Sequence, residues 1–128
     1  MLLSEQAVVE VVAHDLQPAL SVDVTGCRGV DRRESWILVG GVLDMVTEEI
    51  LAESLAALLD TAWGSQIVVD LADVSFVSVN GILLLANAAA RARSIHGSLV
   101  VRRPPPTARR MIELFELGLA LPIDDLGL

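Results

Sequence analysis

Lysine and tyrosine are absent from this 128-residue chain, and cysteine occurs once. Without lysine there is no phosphate-gripping side chain for a P-loop and no amine for a Schiff base. The lysine expected in a response-regulator receiver is missing too. The lone Cys27 cannot close an internal disulfide, which agrees with a reducing compartment, and it reads as a small residue in a Gly-flanked turn. His14 and His96 are far apart in sequence and do not make a zinc site with one cysteine. No G-x-S-x-G elbow is present, and Ser75 and Ser78 have no histidine nearby in sequence, so a nucleophilic triad has little support. The expectation is a non-enzyme with no catalytic residues, no metal and no cofactor. The longest apolar segments fall far short of the ~20 residues of a membrane span, and no signal-peptide pattern opens the chain. A cytoplasmic protein without direct membrane insertion is expected.

Apolar residues are plentiful, at 53% of the chain, enough for one well-buried core at this length. Charge is uneven. Through Asp73 there are 13 acids against Arg28, Arg32 and Arg33, whereas from Val74 onward 4 acids face 6 arginines. A net charge of −8 argues against nucleic acid as a partner, because phosphate neutralisation needs a positive surface. Arg91, Arg93, Arg102, Arg103, Arg109 and Arg110 read as solvated helix and strand ends.

The apolar pattern sets out alternating elements. Val8, Val9, Val11 and Val12 suit a strand or a short helix, and Pro18 separates them from the next element. Leu20 to Val24 and Trp36 to Val39 read as strands joined by a Gly-rich and charged turn. Thr47 to Trp63 is predicted to be a helix: Glu48 and Glu49 stand at its positive end, Leu51, Leu55, Leu58 and Leu59 share a face, and Gly64 stops it. Gln66 to Leu71 is a strand, and its β-branched run Ile67 to Val69 suits a central strand covered on both faces. Asp70, polar after that run, reads as a turn-capping carboxylate. Asn80 to His96 is predicted as the second helix, capped by Asn80 and closed by Gly97 in a left-handed conformation. Ser98 to Val101 is a further strand. Pro104 to Pro106 is a stiff connector, and Thr107 caps a third helix ending at Gly118. Strands alternating with helices after an initial hairpin imply right-handed crossovers. The fold class is therefore α/β, with a mixed, mostly parallel sheet of four to five strands and three main helices.

Within this pattern, VVDLADVSFVSVNGILLL resembles the signature of STAS domains, the family of bacterial anti-sigma-factor antagonists, whose usual form is roughly V-V-D-L-S-x-V-x-F-[IM]-D-S-[ST]-G-L. Val68, Val69, Asp70, Leu71, Val74, Phe76 and Gly81 match. Upstream, Gly41-Val42-Leu43-Asp44 fits the family's G-x-L-D. The resemblance spans about Leu20 to Asp124 and implies a single STAS-like domain, residues 19–128, after an N-terminal extension of residues 1–18. Aligned on Phe76 and Gly81, the family's Asp falls on Ser78, its phosphoaccepting Ser or Thr on Val79, and the next small polar residue on Asn80. Valine cannot be phosphorylated. The usual switch is then absent, or displaced to Ser75 or Ser78, with Val79 otherwise a packed residue in a diverged turn.

The resemblance implies a partner-binding surface formed by Asp44, Ser75, Ser78, Val79, Asn80 and Gly81. It implies as partner an anti-sigma factor with a kinase-like fold, whose capture frees a sigma factor for transcription. Two alternatives remain open: a STAS-like subunit of a membrane transport or stress-signalling complex, and a small-molecule-binding regulator or enzyme using the same helix N-terminus. Nothing in the sequence sets the oligomeric state.

Overall fold

The computed structural model describes the backbone of residues 9–12, 20–28, 33–60 and 65–124, and the side chains of 21–22, 34–60 and 65–124. Among the described residues, six strands form one sheet in sequence order: β1 (Val9–Val12), β2 (Leu20–Arg28), β3 (Arg33–Leu43), β4 (Gln66–Val77), β5 (Ser98–Arg102) and β6 (Ile123–Asp124). The first two pairings are antiparallel and the remaining three are parallel. This is the mixed, mostly parallel α/β class read from the sequence. The strand count reaches six with the two-residue β6, too short for any sequence pattern to mark. The crossovers between the described parallel strands are helices α1 (Glu48–Leu59), α2 (Val79–Ser94) and α3 (Pro106–Leu114).

Right-handed crossovers that always step in the same direction place every helix on the same face of the sheet. The burial pattern agrees: Ile37, Val39, Ile67, Val69, Leu99 and Val101 point to the helices and are nearly inaccessible. Leu51, Leu55 and Leu59 of α1, Ile82, Leu85 and Ala89 of α2, and Ala108 and Ile112 of α3 close over them. The run Ile67 to Val69 is buried throughout, yet helices cover only one of its faces. Val68 is screened on the other, where Trp36 and Val100 are its register neighbours and the Arg102 guanidinium lies 5.1 Å from the Trp36 ring centroid.

Strand β4 departs from the expectation that it ends near Asp70. It continues to Val77 through two bulges. Leu38 pairs with Asp70 but Gly40 with Asp73, and Gly41 pairs with Val74 but Val42 with Phe76. Each step leaves one extra residue on β4, so the inward positions become Leu71, Val74 and Val77, three apart rather than two. Gly40 and Gly41, the latter at φ 103°, form the opposing backbone. The expected turn residues plug these irregularities. The Asp70 carboxylate accepts from the Ala72 N–H at 2.9 Å, and the Ser75 hydroxyl donates to the Gly41 carbonyl at 3.2 Å. Asp70 is thus a backbone cap, as expected, but inside a strand.

Several boundaries also move. The first helix begins at Glu48, and Trp63 and Gly64, its expected end, lie outside the described residues, as does Val8. Cys27 belongs to β2, paired with Glu34, and not to a turn. The left-handed residue after α2 is His96, at φ 66°, whereas Gly97 is needed for space beside Ser65. Pro105 occupies the cap position of α3 and Pro106 its first turn, where a missing N–H is harmless, so Thr107 is inside the helix. That helix closes at Leu114, before the left-handed Glu116.

Candidate functional site

Strands β3 and β4 are parallel neighbours that end in register, Leu43 opposite Val77, so the segments leaving them lie side by side. The Ser78 N–H donates to the Leu43 carbonyl at 2.8 Å and ties the two exits together. After Leu43 the chain makes a polar turn organised by Asp44. Its Oδ1 accepts from the N–H groups of Val46 and Thr47 at 3.0 and 3.1 Å. The buried Thr47 hydroxyl donates to the Val42 carbonyl at 2.6 Å, which holds the start of α1 against the strand end. The tip of this turn, Met45 and Val46, is about four-fifths exposed.

Ser78, not Asn80, is the cap of α2. Its backbone is extended, and its Oγ accepts from the Gly81 N–H at 2.9 Å, satisfying a donor that the first turn leaves open. The same hydroxyl donates to Glu48 Oε2 at 3.2 Å, which joins the N-termini of α1 and α2. Asn80 lies inside the first turn with its side chain exposed. Replacing Ser78 by alanine should therefore cost about 0.5–2 kcal/mol in urea unfolding. Asn80→Ala should stay within about 0.5 kcal/mol of the parent. A larger loss for Asn80→Ala than for Ser78→Ala would overturn this assignment of the cap.

The remaining candidates separate by burial. Val79 is half exposed at the first helical position, and Phe76, just before the cap, is similarly open. Gly81 is buried: a Cβ there would come within 3.0 Å of Leu43 and 3.2 Å of Val77. Its contribution is to let α2 approach the strand ends. Ser75 stands on β4 at the second bulge, exposed but set back from the helix start. Asp44, Ser78, Val79 and Asn80 are thus gathered at one end of the sheet.

The Ser78 hydroxyl is held between the Glu48 carboxylate, to which it donates, and the Gly81 N–H, from which it accepts, and so serves as a structural link between the two helix starts. Among the described residues no cluster of His, Cys, Asp and Glu could hold a metal, and no helix is long and apolar enough to cross a membrane.

A family model described as Mlab, STAS domain, matches residues 31–122. The chain belongs to the STAS-domain family. Several solved structures share its fold. An anti-sigma-factor antagonist from Mycobacterium paratuberculosis is 27% identical, with a TM-score of 0.60 over 78% of this chain and 84% of that one. The Bacillus cell-fate determinant SpoIIAA in its phosphorylated form is 19% identical, with a TM-score of 0.59 over 77% of this chain and 88% of that one. The murine solute carrier family 26 member A9 anion transporter, in its inward-facing state, is 17% identical over 67% of this chain but only 14% of its own, with a TM-score of 0.58. No curated protein sequence matches this STAS domain.

Two features of the site went unread in the sequence pattern. Glu48, placed by its position as a helix-dipole residue, is also the acceptor for Ser78, a pairing over 30 residues that no local pattern signals. The exposed apolar side chains Met45, Val46, Phe76 and Leu114 around the candidate residues are the other. Here a hint does exist, since Met45 and Val46 follow Asp44 as apolar residues in a polar turn.

Away from the turn, Asp70 forms an ion pair with Arg103 at 2.7 Å. The carboxylate is only 4% exposed and the arginine mostly open. The hydrogen bond, and secondarily the charge, of Asp70 raises the Arg103 pKa above its ordinary value. The pair lies at the first bulge of β4.

Proposed function

We propose that this STAS domain is a non-enzymatic docking module that binds an anti-sigma factor with a kinase-like fold and thereby frees a sigma factor. The observation that carries the proposal is the surface at the start of α2. Half-exposed Phe76 and Val79 flank a serine whose hydroxyl is committed to capping Gly81 and to joining the Glu48 carboxylate. The likeness to the mycobacterial anti-sigma-factor antagonist supports the partner class. Asp44, Ser75, Ser78, Val79 and Asn80 form the contact surface, and Gly81 shapes it from below. Val79 at the family's phosphoacceptor position makes the interaction independent of the usual phosphorylation, and Ser78 does not take over that role.

Val79 is the residue that tests the reading. An aspartate at the first helical position is favourable to the helix dipole, so Val79→Asp should leave stability equal or slightly raised. Calorimetry with a purified anti-sigma kinase from the same genomic neighbourhood should show its affinity falling at least about tenfold, because a charge is desolvated in the interface. Incubation with that kinase and ATP should phosphorylate Val79→Ser and leave the parent chain unmodified by mass spectrometry. Equal affinity for parent and Val79→Asp would remove this surface from the interface, and stoichiometric phosphate on Ser78 of the parent would show a displaced switch.

The match to an anion transporter's STAS region, together with the family description Mlab, supports a second reading, a subunit of a membrane transport or stress-signalling complex. Co-purification with a permease or transport ATPase, in place of a kinase-fold protein, would favour it.

A further inference from the structure

A groove of about 390 Å³ opens beside the docking turn, between the end of β4 with the first turn of α2 on one side and α3 on the other. Phe76 and Val79 form the first wall; Thr107, Arg110, Met111 and Leu114 form the second. Residues 107, 110, 111 and 114 have helical spacing and therefore share one side of α3. The buried side of the same helix is a different one, carried by Ala108 and Ile112. On the groove side Met111 is partly buried against the core, and Leu114 is 68% exposed. Phe76 and Val79 present comparable apolar surface across from it, and water must cover all of it in the free chain.

Resting on the docking reading above, we infer that this groove receives an apolar anchor side chain of the partner protein, with a carboxylate next to that anchor pairing with Arg110. Charge selects the occupant. Arg110 is the only charged residue of the lining, and it makes no ion pair among the described residues. The stretch of chain that lines the groove lies after Val74, where arginines outnumber acids. An acidic side chain entering the groove therefore meets a cation, whereas a basic one is repelled by it. Apolar walls on either side lower the local dielectric once the groove is filled, which strengthens the Arg110 pair relative to one in open water. Val79 gives the groove its continuity. A serine or a phosphate at that position would interrupt the apolar wall between Phe76 and Leu114, so the residue that removes the family's switch also completes the anchor site.

Selection of a displayed peptide library against the full chain tests this even while the partner is unidentified. Enriched peptides should carry an aliphatic or aromatic residue beside Asp or Glu, and synthetic versions should lose about tenfold or more in affinity for Arg110→Glu and for Leu114→Ser. Both positions are accessible, so the variants should keep the parent's circular dichroism and urea midpoint. Glu53→Ala, on the exposed side of α1, should bind as the parent does. Exchanging the peptide's acid for lysine should restore binding to Arg110→Glu. Failure to enrich any peptide, enrichment of peptides without an acid, or equal binding to both variants would overturn the inference. So would a dimer of the parent chain in sedimentation that Leu114→Ser dissociates, since a second copy would then fill the groove. If acidic apolar peptides are selected and no anti-sigma kinase binds the chain, the groove assignment stands and the partner class proposed above falls.

Discussion

Gly97→Ala should destabilise the domain by about 3 kcal/mol, at the upper end of the range for overpacking. A Cβ at this position would overlap the Ser65 carbonyl oxygen and lie 3.2 Å from the Ser65 nitrogen. These are backbone atoms, so no rotamer change relieves the contact. The same carbonyl accepts the Ser98 N–H at 3.1 Å, and the Gly97 N–H donates to the Ala92 carbonyl at 2.8 Å. Together these bonds bring the end of α2 and the start of β5 against the start of β4. Moving Gly97 outward would stretch all of them and disturb the parallel pairing that begins at Gln66 and Ser98. Gly118→Ala supplies the control, because a Cβ there meets nothing within 4 Å, and its effect should be within about 0.5 kcal/mol. Urea unfolding of both variants decides the point; similar midpoints for the two would mean that the chain around Ser65 yields more easily than its bonds suggest.

The second large effect is expected at Gly81, where overpacking meets side chains instead of backbone. Valine there should cost about 2 kcal/mol, since its Cβ alone would sit 2.9 Å from Leu43 Cδ2 and its methyl groups must find further room. Leu43 can be shortened to provide that room. Leu43→Ala by itself should cost about 2–5 kcal/mol by leaving a cavity. The double variant Leu43→Ala/Gly81→Val should lose clearly less than the sum, as expected for side chains in contact. Strict additivity in a urea series would show that the two residues do not press on each other. Pushing the helix start away from Leu43 would also loosen the Ser78 cap on the residue-81 N–H, so Gly81→Val should weaken binding to the partner proposed above and the double variant should regain part of it.

Much of the architecture was legible because it rests on local patterns. The leucine spacing in α1 and the apolar run after Gly81 are helical whatever they pack against, and the β-branched stretch Ile67 to Val69 is a strand for the same reason. The STAS signature could be recognised for a related reason: its apolar positions and its glycine report burial and close approach. The end of β4 was not legible in this way. Asp70 looks like a terminator because a lone carboxylate is unfavourable inside a sheet, and that holds until Arg103 and the Ala72 N–H meet it there. Arg103 is 33 residues distant, so its arrival depends on the fold. The three-residue spacing of Leu71, Val74 and Val77 was visible, but alternation by twos is the default for a strand, and only bulges turn a spacing of three into one buried face.

The helix cap shows the same division. Ser78 and Asn80 are both suitable caps in isolation, so residue type alone narrowed the start of α2 without choosing between them. Which of them serves depends on where β4 releases the chain. Two bulges carry the strand to Val77, and pairing with Leu43 then fixes the next residue, Ser78, at the helix entrance.

By itself, the sequence determined an α/β domain with a regular alternation of strands and helices and a glycine at the start of the second helix, and its resemblance to the STAS signature sets a valine against the expected phosphoacceptor. Those properties come from residue type and spacing, which act over one or two turns of chain. Only the tertiary structure decided that Glu48 holds the Ser78 hydroxyl, that Arg103 neutralises Asp70, and that Phe76 and Val79 face α3 across an apolar groove. Each of these joins groups about 30 or more residues apart, and such meetings are set by how crossovers stack the helices on one face of the sheet.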